Sequence, residues 1–466
     1  MLCSFRTYLG KTLLVSLVSF SIFHALPMCS ARTIQVPNDY RTLQGAVAAA
    51  SDGDVIIVSP GTYEGFTVEK SVTIMGSGRD AVVIRGQVVV NAGNAALSTM
   101  TVEIDEKTGG NSALVISGSG TKLVNIRVRS YRDGIWLGTV DKQSQDNAVE
   151  HSVLECAWVA LNCIQSGRNT YYNNTIVSEQ RQGIIAGTGD VILRNRVEAP
   201  TGISLSALRS GVQIKSNTVN GRETAIRIAG PDSTIESNTI LGNSGVALEG
   251  GGNLVLGNVI EVSGTGVVTV KDNVIRNNRI GAGGHCVEIS GDNNRVLNNS
   301  LSGGKGIHAS GGAGNLIAFN VISYCGVAGA YMSGLTQGNL IYGNSFLFNY
   351  GGQAADFSGR NLWYVENASL RLGNYWSDHA GSDANGDGII DVPYSIPGSG
   401  SVDKYPLARV PEASVAVVLP VLFLFRAGVE AHPRRSLRRD KAMAYSQAVL
   451  GRFNTSCGRA LEGCVP

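Results

Sequence analysis

Residues 383–391, Asp-Ala-Asn-Gly-Asp-Gly-Ile-Ile-Asp, have the spacing of a calcium-binding loop. Asp383, Asn385, Asp387 and Asp391 put side-chain oxygens at positions one, three, five and nine. Ile389 offers a main-chain carbonyl at position seven, and Gly388 stands at the sharp turn of position six. Position twelve is Tyr394 where an EF-hand has a bidentate Glu, so Asp378 or Asp403 would have to supply the last ligand. No helical pattern flanks the loop. The expectation is a structural Ca2+ ion that ties down a terminal cap. The alternative is a hydrogen-bonded Asx turn with no ion.

A second constellation combines Glu288, His308 and Arg227. A carboxylate beside an imidazole can exchange protons with a substrate as general acid and base. A guanidinium nearby can hold an acidic sugar. Trp136 lies in an equivalent position further upstream and offers a ring on which a sugar could stack. The plain alternative is a set of ordinary surface residues, with Trp136 an isolated exposed aromatic. The six histidines, at 24, 151, 285, 308, 379 and 432, form no metal-ligand spacing, and methionine is scarce. Of eight cysteines, Cys156, Cys163, Cys286 and Cys325 fall in the body of the chain with no CxxC pair. They read as buried thiols, with a Cys156–Cys163 bridge as the alternative.

What would position these groups is a repeat. The phrase Asn-x-apolar-x-x-Asn-x-apolar recurs, for instance as NLVLGNVI, NVIRNNRI and NLIAFNVI. Its second Asn falls at 174, 195, 217, 238, 258, 278, 299, 320 and 344, at spacings of 20 to 24 residues. Alternating apolar residues such as Ile235/Ile240 and Ile317/Ile322 mark short strands with one face buried. The Asn between them tolerates a left-handed turn. Stacked one per rung, such amides can form a ladder in which each satisfies the next. The period is too short for ankyrin or tetratricopeptide units, and Ile, Val and Gly replace the leucines and helical half of a leucine-rich repeat. The period therefore predicts a right-handed parallel β-helix, an all-β fold.

The second strand of each rung is visible as DGIWLG, QGIIAG, TGISLS, TAIRIA, SGVALE, HCVEIS and KGIHAS. Its inward positions are Ile135, Ile184, Ile203, Ile226, Val246, Val287 and Ile307. Its outward positions are Trp136, Ile185, Ser204, Arg227, Ala247, Glu288 and His308. Glu288 and His308 then occupy neighbouring rungs, about 5 Å apart along the axis. Upstream, Leu43, Ala46, Val47 and Ala50 share one face of a short helix that would plug the open end of the coil.

Composition agrees with a repeat array. The 466 residues include 59 glycines, 43% hydrophobics and only 16% charged residues. The formal charge is +2 overall, with +2 in residues 1–31 and +5 in 426–466, which leaves the body near −5. A mildly acidic body argues against nucleic acid as partner. Residues 1–31 have a basic start, an apolar stretch and a small-residue end, and read as a signal peptide. A membrane anchor is the alternative, for which the stretch is short. Residues 410–466 hold a 13-residue apolar run, Ala413–Phe425, then a basic tail without periodicity that reads as disordered.

The opening TIQVPNDYRTLQGAVAAASDGDVIIVSPGTYEGFTVEKSVTIMGSG resembles the start of pectin-lyase-like β-helix proteins. The Asn rungs resemble the NosD-type family, also called the carbohydrate-binding and sugar-hydrolase (CASH) domain. Residues 373–407 are similar to the closing segment of NosD-like surface proteins of methanogenic archaea. The likeness spans about 32–407. It implies a solenoid that meets polysaccharide, as binder, lyase or hydrolase. The apolar run resembles an archaeal sorting signal with a Pro-Glu motif, departing from it at Ala413 and in the long tail that follows. This implies envelope or membrane anchoring.

The enzymatic motifs of this fold are mostly missing. PGTYEG resembles the Gly-x-Tyr segment of pectin methylesterases, but their later Gln and Asp motifs are absent. No Asp-Pro-His-Asp of alginate epimerases occurs, and GGHCVEISGD lacks the Asp-Asp and Gly-His-Gly of polygalacturonases.

These readings divide the chain into a signal peptide (1–31), a β-helix (32–372), a cap with a calcium-like loop (373–409) and a C-terminal segment (410–466). The expected function is an exported cell-surface protein that binds carbohydrate, with glycan as its partner. A polysaccharide lyase or hydrolase is the first alternative, and a ligand-free envelope component the second. A compact carboxylate cluster would favour the enzyme, and a stacked aromatic row the binder.

Overall fold

A computed structural model describes residues 31–106, 112–139, 141–163 and 165–411. The expected signal segment, Ala31 apart, and the apolar run and basic tail from 412 onward lie outside the described residues. No helix among the described residues is long and apolar enough to cross a membrane.

The chain winds into a right-handed parallel β-helix. One sheet of 15 strands runs the length of the coil, from Thr33–Val36 to Leu340–Tyr342. The other strands of each rung form a second sheet of 24 strands. Each rung pairs in parallel register with the next, so like stacks on like. Ile214, Ile235, Val255, Ile275, Val296, Ile317 and Ile341 form one such file, and all are buried. The predicted inward residues, from Ile135 to Ile307, are buried as well.

The Asn phrase marks two corners that flank each strand of the long sheet. At the second corner, each Asn accepts from the rung before and donates to the rung after. Asn258 N–H and Nδ2 donate to Asn278 Oδ1 at 2.9 and 3.0 Å, and Asn278 repeats this to Asn299 at 2.9 and 3.0 Å. This ladder runs from Ser152 through Asn174 to Asn374 and ends on Asp403 Oδ2. A second ladder links Asn253, Asn273, Asn294, Asn315, Asn339 and Asn361, whose Nδ2 donates to Asp356. A third, shorter one runs Asn147, Asn169, Asp190.

One detail differs from the sequence reading. The left-handed residue is not the ladder Asn but the residue before it. Asn173, Arg194, Ser216, Ser237, Gly257, Asn277, Asn298, Phe319 and Gly343 all have φ between 52° and 66°. That residue turns the chain, which aims the following amide inward along the axis.

The ends are covered. The helix Leu43–Ala49 is N-capped by Thr42, whose hydroxyl accepts from Gly45 N–H, and it buries Leu43, Ala46 and Val47. At the other end, aromatic rings close the coil. Trp376 stacks between Phe346 at 4.5 Å and Tyr394 at 4.1 Å, and Trp363 packs beside it. The indole N–H groups of Trp363 and Trp376 donate to Asp356 and Asp403, the carboxylates that end two ladders. Cys156, Cys163, Cys286 and Cys325 are free and buried, so no Cys156–Cys163 bridge forms. Burial pushes all four thiols up in pKa, which removes them as nucleophiles.

Candidate functional site

The outward column of the second strand is real and continuous. Register pairs Trp136, Asn162, Ile185, Ser204, Arg227, Ala247, Val268, Glu288, His308, Tyr331 and Ala355 rung by rung. Arg227 thus sits three rungs from Glu288, as its spacing predicts. Its guanidinium is engaged elsewhere, however, in an exposed ion pair with Glu249 at 2.7 Å. Trp136 is half-buried between Val115 and Asn162, with no aromatic residue on either adjacent rung of its column.

Glu288 and His308 do meet, and a third residue joins them. His285 lies on the same strand as Glu288, Arg279–Ile289, and His308 on the next, Ser300–Ala309. The two imidazoles face each other with Nδ1 atoms 3.2 Å apart and ring centroids 4.4 Å apart. His285 Nδ1 stands 3.6 Å from Glu288 Oε2. Ligand atoms of all three residues lie within 4.8 Å of one another, the one such group of His, Cys, Asp and Glu among the described residues. This corrects the reading that the histidines form no set.

A register shift falls between Ala282 and His285, just before the site. Gly283 and Gly284 make that bend. A Cβ on Gly283 would stand 2.2 Å from Ser263 O of the preceding rung. From His285 on, the rungs pair at a constant offset, His285 with Lys305 and Glu288 with His308, and His285 was missed because only the outward column was followed, not the position three residues before it. Burial, with help from His285 and Lys305, lowers the pKa of His308, so this imidazole is neutral at pH 7.

A row of rings continues from the imidazoles. His308 contacts Tyr331 at 5.4 Å and Tyr331 contacts Phe357 at 5.2 Å. Lys305 Nζ sits 4.6 Å over the Tyr331 ring. Around the next corner Tyr324 stacks on Phe348 at 5.9 Å, near Tyr350 in sequence. Tyr324, Phe348, Tyr350 and Phe357 are 49%, 59%, 66% and 48% exposed. Sequence reasoning did not include them. Tyr331 follows His308 by 23 residues in the rung Ala-Gly-Ala-Tyr-Met-Ser, so extending the column by one repeat would have found it.

The loop 383–391 curls on its own carboxylates. Asp383 accepts from the N–H groups of Gly386, Asp387 and Gly388, Asp387 from Ile389, and Asp391 from Ala384. Gly386 and Gly388 are left-handed, φ 75° and 86°. The loop is tied to the segment that follows Asp403, through Ile390 N–H to Pro406 O and Ala408 N–H to Gly388 O. Asp383, Asn385, Asp387 and Asp391 with the Ile389 carbonyl form an all-oxygen donor set of the kind a hard cation takes.

Among curated proteins the chain has no match. Solved structures similar to it include the A-module of a mannuronan C-5 epimerase of Azotobacter vinelandii. That match has 15% identity and a TM-score of 0.45, over 68% of this chain and 91% of that one. A family 6 alginate lyase gives 13% identity and a TM-score of 0.42, over 74% and 55%. The DFA-IIIase of Arthrobacter chlorophenolicus A6, without its lid, gives 13% identity and a TM-score of 0.41, over 67% and 94%. At these values the likeness carries nothing about this chain's chemistry. The model of a protein family described as periplasmic copper-binding protein (NosD) matches residues 49–250 and 188–381. With most of the β-helix inside those matches, the chain belongs to the NosD family.

Proposed function

We propose that this is an exported protein that binds carbohydrate along the last rungs of its β-helix. The observation that carries this reading is the cluster of rings on the last rungs, half-buried Tyr331 beside exposed Phe357 and, around a corner, exposed Tyr324 stacked on exposed Phe348 with Tyr350 two residues on. Exposed rings on consecutive rungs form an apolar patch with polar edges, which suits the C–H face of a sugar ring. The rungs repeat at about 5 Å, so the strip presents a linear platform rather than a closed pocket. Glu288 stands beside His308, whose ring contacts Tyr331. The family's description as periplasmic supports export. The N-terminus of the secreted protein is expected near Arg32.

The loop 383–391 is proposed to take one structural Ca2+ ion that pins the cap. The copper of the family's description finds its most suitable donors, imidazole nitrogens with a carboxylate, in His285, His308 and Glu288.

Affinity electrophoresis through gels cast with neutral and uronic-acid polysaccharides tests the main reading. The wild type is expected to be retarded by at least one polymer, and Tyr324→Ala/Phe348→Ala/Phe357→Ala to run free. No retardation across the panel, or equal retardation of the triple variant, overturns it.

A further inference from the structure

We propose that His285, Glu288 and His308 form a binding site for one divalent transition-metal ion, with Nδ1 of each histidine and a Glu288 oxygen as protein ligands. The argument begins with the two nitrogens. Both Nδ1 atoms point into the same space, 3.2 Å apart. Without an ion, one ring must carry its proton there and the other must accept it. Two protonated nitrogens would repel, and so would two lone pairs. A metal ion satisfies both lone pairs at once.

The distances suit an ion. Metal–nitrogen bonds of about 2.0–2.1 Å to atoms this far apart subtend an angle of roughly 100°. The 3.6 Å separation of His285 Nδ1 and Glu288 Oε2 corresponds to about 120° for bonds of similar length. Both angles lie in the range of tetrahedral or distorted coordination, with room for water or a ligand oxygen in the remaining place. Two imidazoles with one carboxylate select borderline ions such as Cu2+ or Zn2+ over Ca2+ or Mg2+.

The fold holds the ligands in place. His285 and Glu288 are three residues apart on one rung, held in regular register with Lys305 and His308 on the next. The ladder amides Asn278, Asn299 and Asn320 run beneath these same rungs and fix their spacing. Lys305, the charged neighbour of His285 by register, directs its ammonium over the Tyr331 ring. The site adjoins the aromatic strip through the His308–Tyr331 contact, yet its argument does not rest on carbohydrate binding.

The test uses the untagged, secreted full-length protein after dialysis against EDTA. Cu2+ is titrated and followed by electron paramagnetic resonance, and Zn2+ by calorimetry. One equivalent of either ion should bind, and the copper spectrum should show coupling to two imidazole nitrogens. His285→Asn and His308→Asn should each lose that equivalent. Glu288→Gln, which preserves shape, should weaken affinity at least tenfold. Far-UV dichroism must match wild type. The triple aromatic variant should keep the metal, so failure of the carbohydrate reading leaves this one standing. Absence of a bound equivalent in wild type overturns the proposal. So does an unchanged equivalent and spectrum in either histidine variant, or an unchanged affinity in Glu288→Gln.

Discussion

Replacing Asn278 with Ala should cost the β-helix about 2–6 kcal/mol, far more than its small side chain suggests. Asn278 Oδ1 accepts from Asn258 N–H and Nδ2, and its own Nδ2 donates to Val255 O, Arg276 O and Asn299 Oδ1. Truncation strands the Asn258 N–H inside the coil and removes the two hydrogen bonds that the amide's own hydrogens make, while Val255 O keeps its sheet partner. The stranded group costs about 1–3 kcal/mol and the two lost bonds about 0.5–1.5 kcal/mol each, hence the total. Asn278→Asp is the sharper perturbation. It keeps the acceptor but sets a second carboxylate oxygen against three other acceptors. Its folded pKa is thereby raised, so its stability deficit should shrink as pH falls and grow as pH rises through that value. Urea unfolding of both variants, beside the exposed control Arg276→Ala, gives the differences. Hydrogen exchange at the Asn258 amide, read by NMR, locates the effect. A loss below about 0.5 kcal/mol for Asn278→Ala, no greater than a surface change, would refute the claim that the ladder contributes to stability.

Three further outcomes follow. Ile275→Asp places an unpaired carboxylate inside the apolar file and should destabilise by about 4 kcal/mol or more, read as loss of the folded dichroism signal at ambient temperature. Millimolar calcium should raise the melting temperature of wild type relative to EDTA, and Asp383→Ala/Asp387→Ala should abolish the difference while the rest of the array stays folded. Identical wild-type curves would make the loop a turn without an ion. Burial pushes the Asp403 carboxyl up to about 6, above the ~3.9 of an unfolded aspartate. Its contribution is fully present below about pH 3.9 and is lost as pH rises through about 6. The urea midpoint of wild type should therefore fall between pH 5 and 7, less steeply in Asp403→Asn. Asp133, Asp190 and Glu261, also raised by burial, act alike in both proteins.

The repeating part of the molecule was legible because its physics is local. A strand of three residues between two Asn corners writes the same phrase on every rung, so Asn253, Asn273 and Asn294 stack as their spacing implies. The outward column was legible for the same reason, and with it the meeting of Glu288 and His308. What spacing could not show is where the period breaks. The bulge before His285 is such a break, whereas His285 itself stands at a constant offset, three residues before the column, and escaped because only the column was followed. The capture of Arg227 by Glu249 depends on side chains two columns apart, which no alternation pattern encodes. The left-handed residue before each ladder Asn escaped because Arg, Ser and Phe fill it as readily as Asn or Gly. There the surrounding ladder holds the turn, not the residue's own preference.

Each ladder corner passes its backbone N–H, and at most rungs its side-chain amide too, to the side-chain oxygen of the next rung, and each of the three runs stops on a carboxylate: Asp190, Asp356 or Asp403. Such a row is a polymer with a direction and a terminator. Any interior amide can be followed by another, since each presents the same acceptor to the rung behind and the same donor to the rung ahead. Only a side chain that accepts without donating can end it. Removing one whole interior rung, such as residues 254–273, would rejoin equivalent corners and leave the terminating aspartates in place. Length in this molecule is thus a count that can change by whole rungs, while the helix at one end and the tryptophan-lined cap at the other stay as they are.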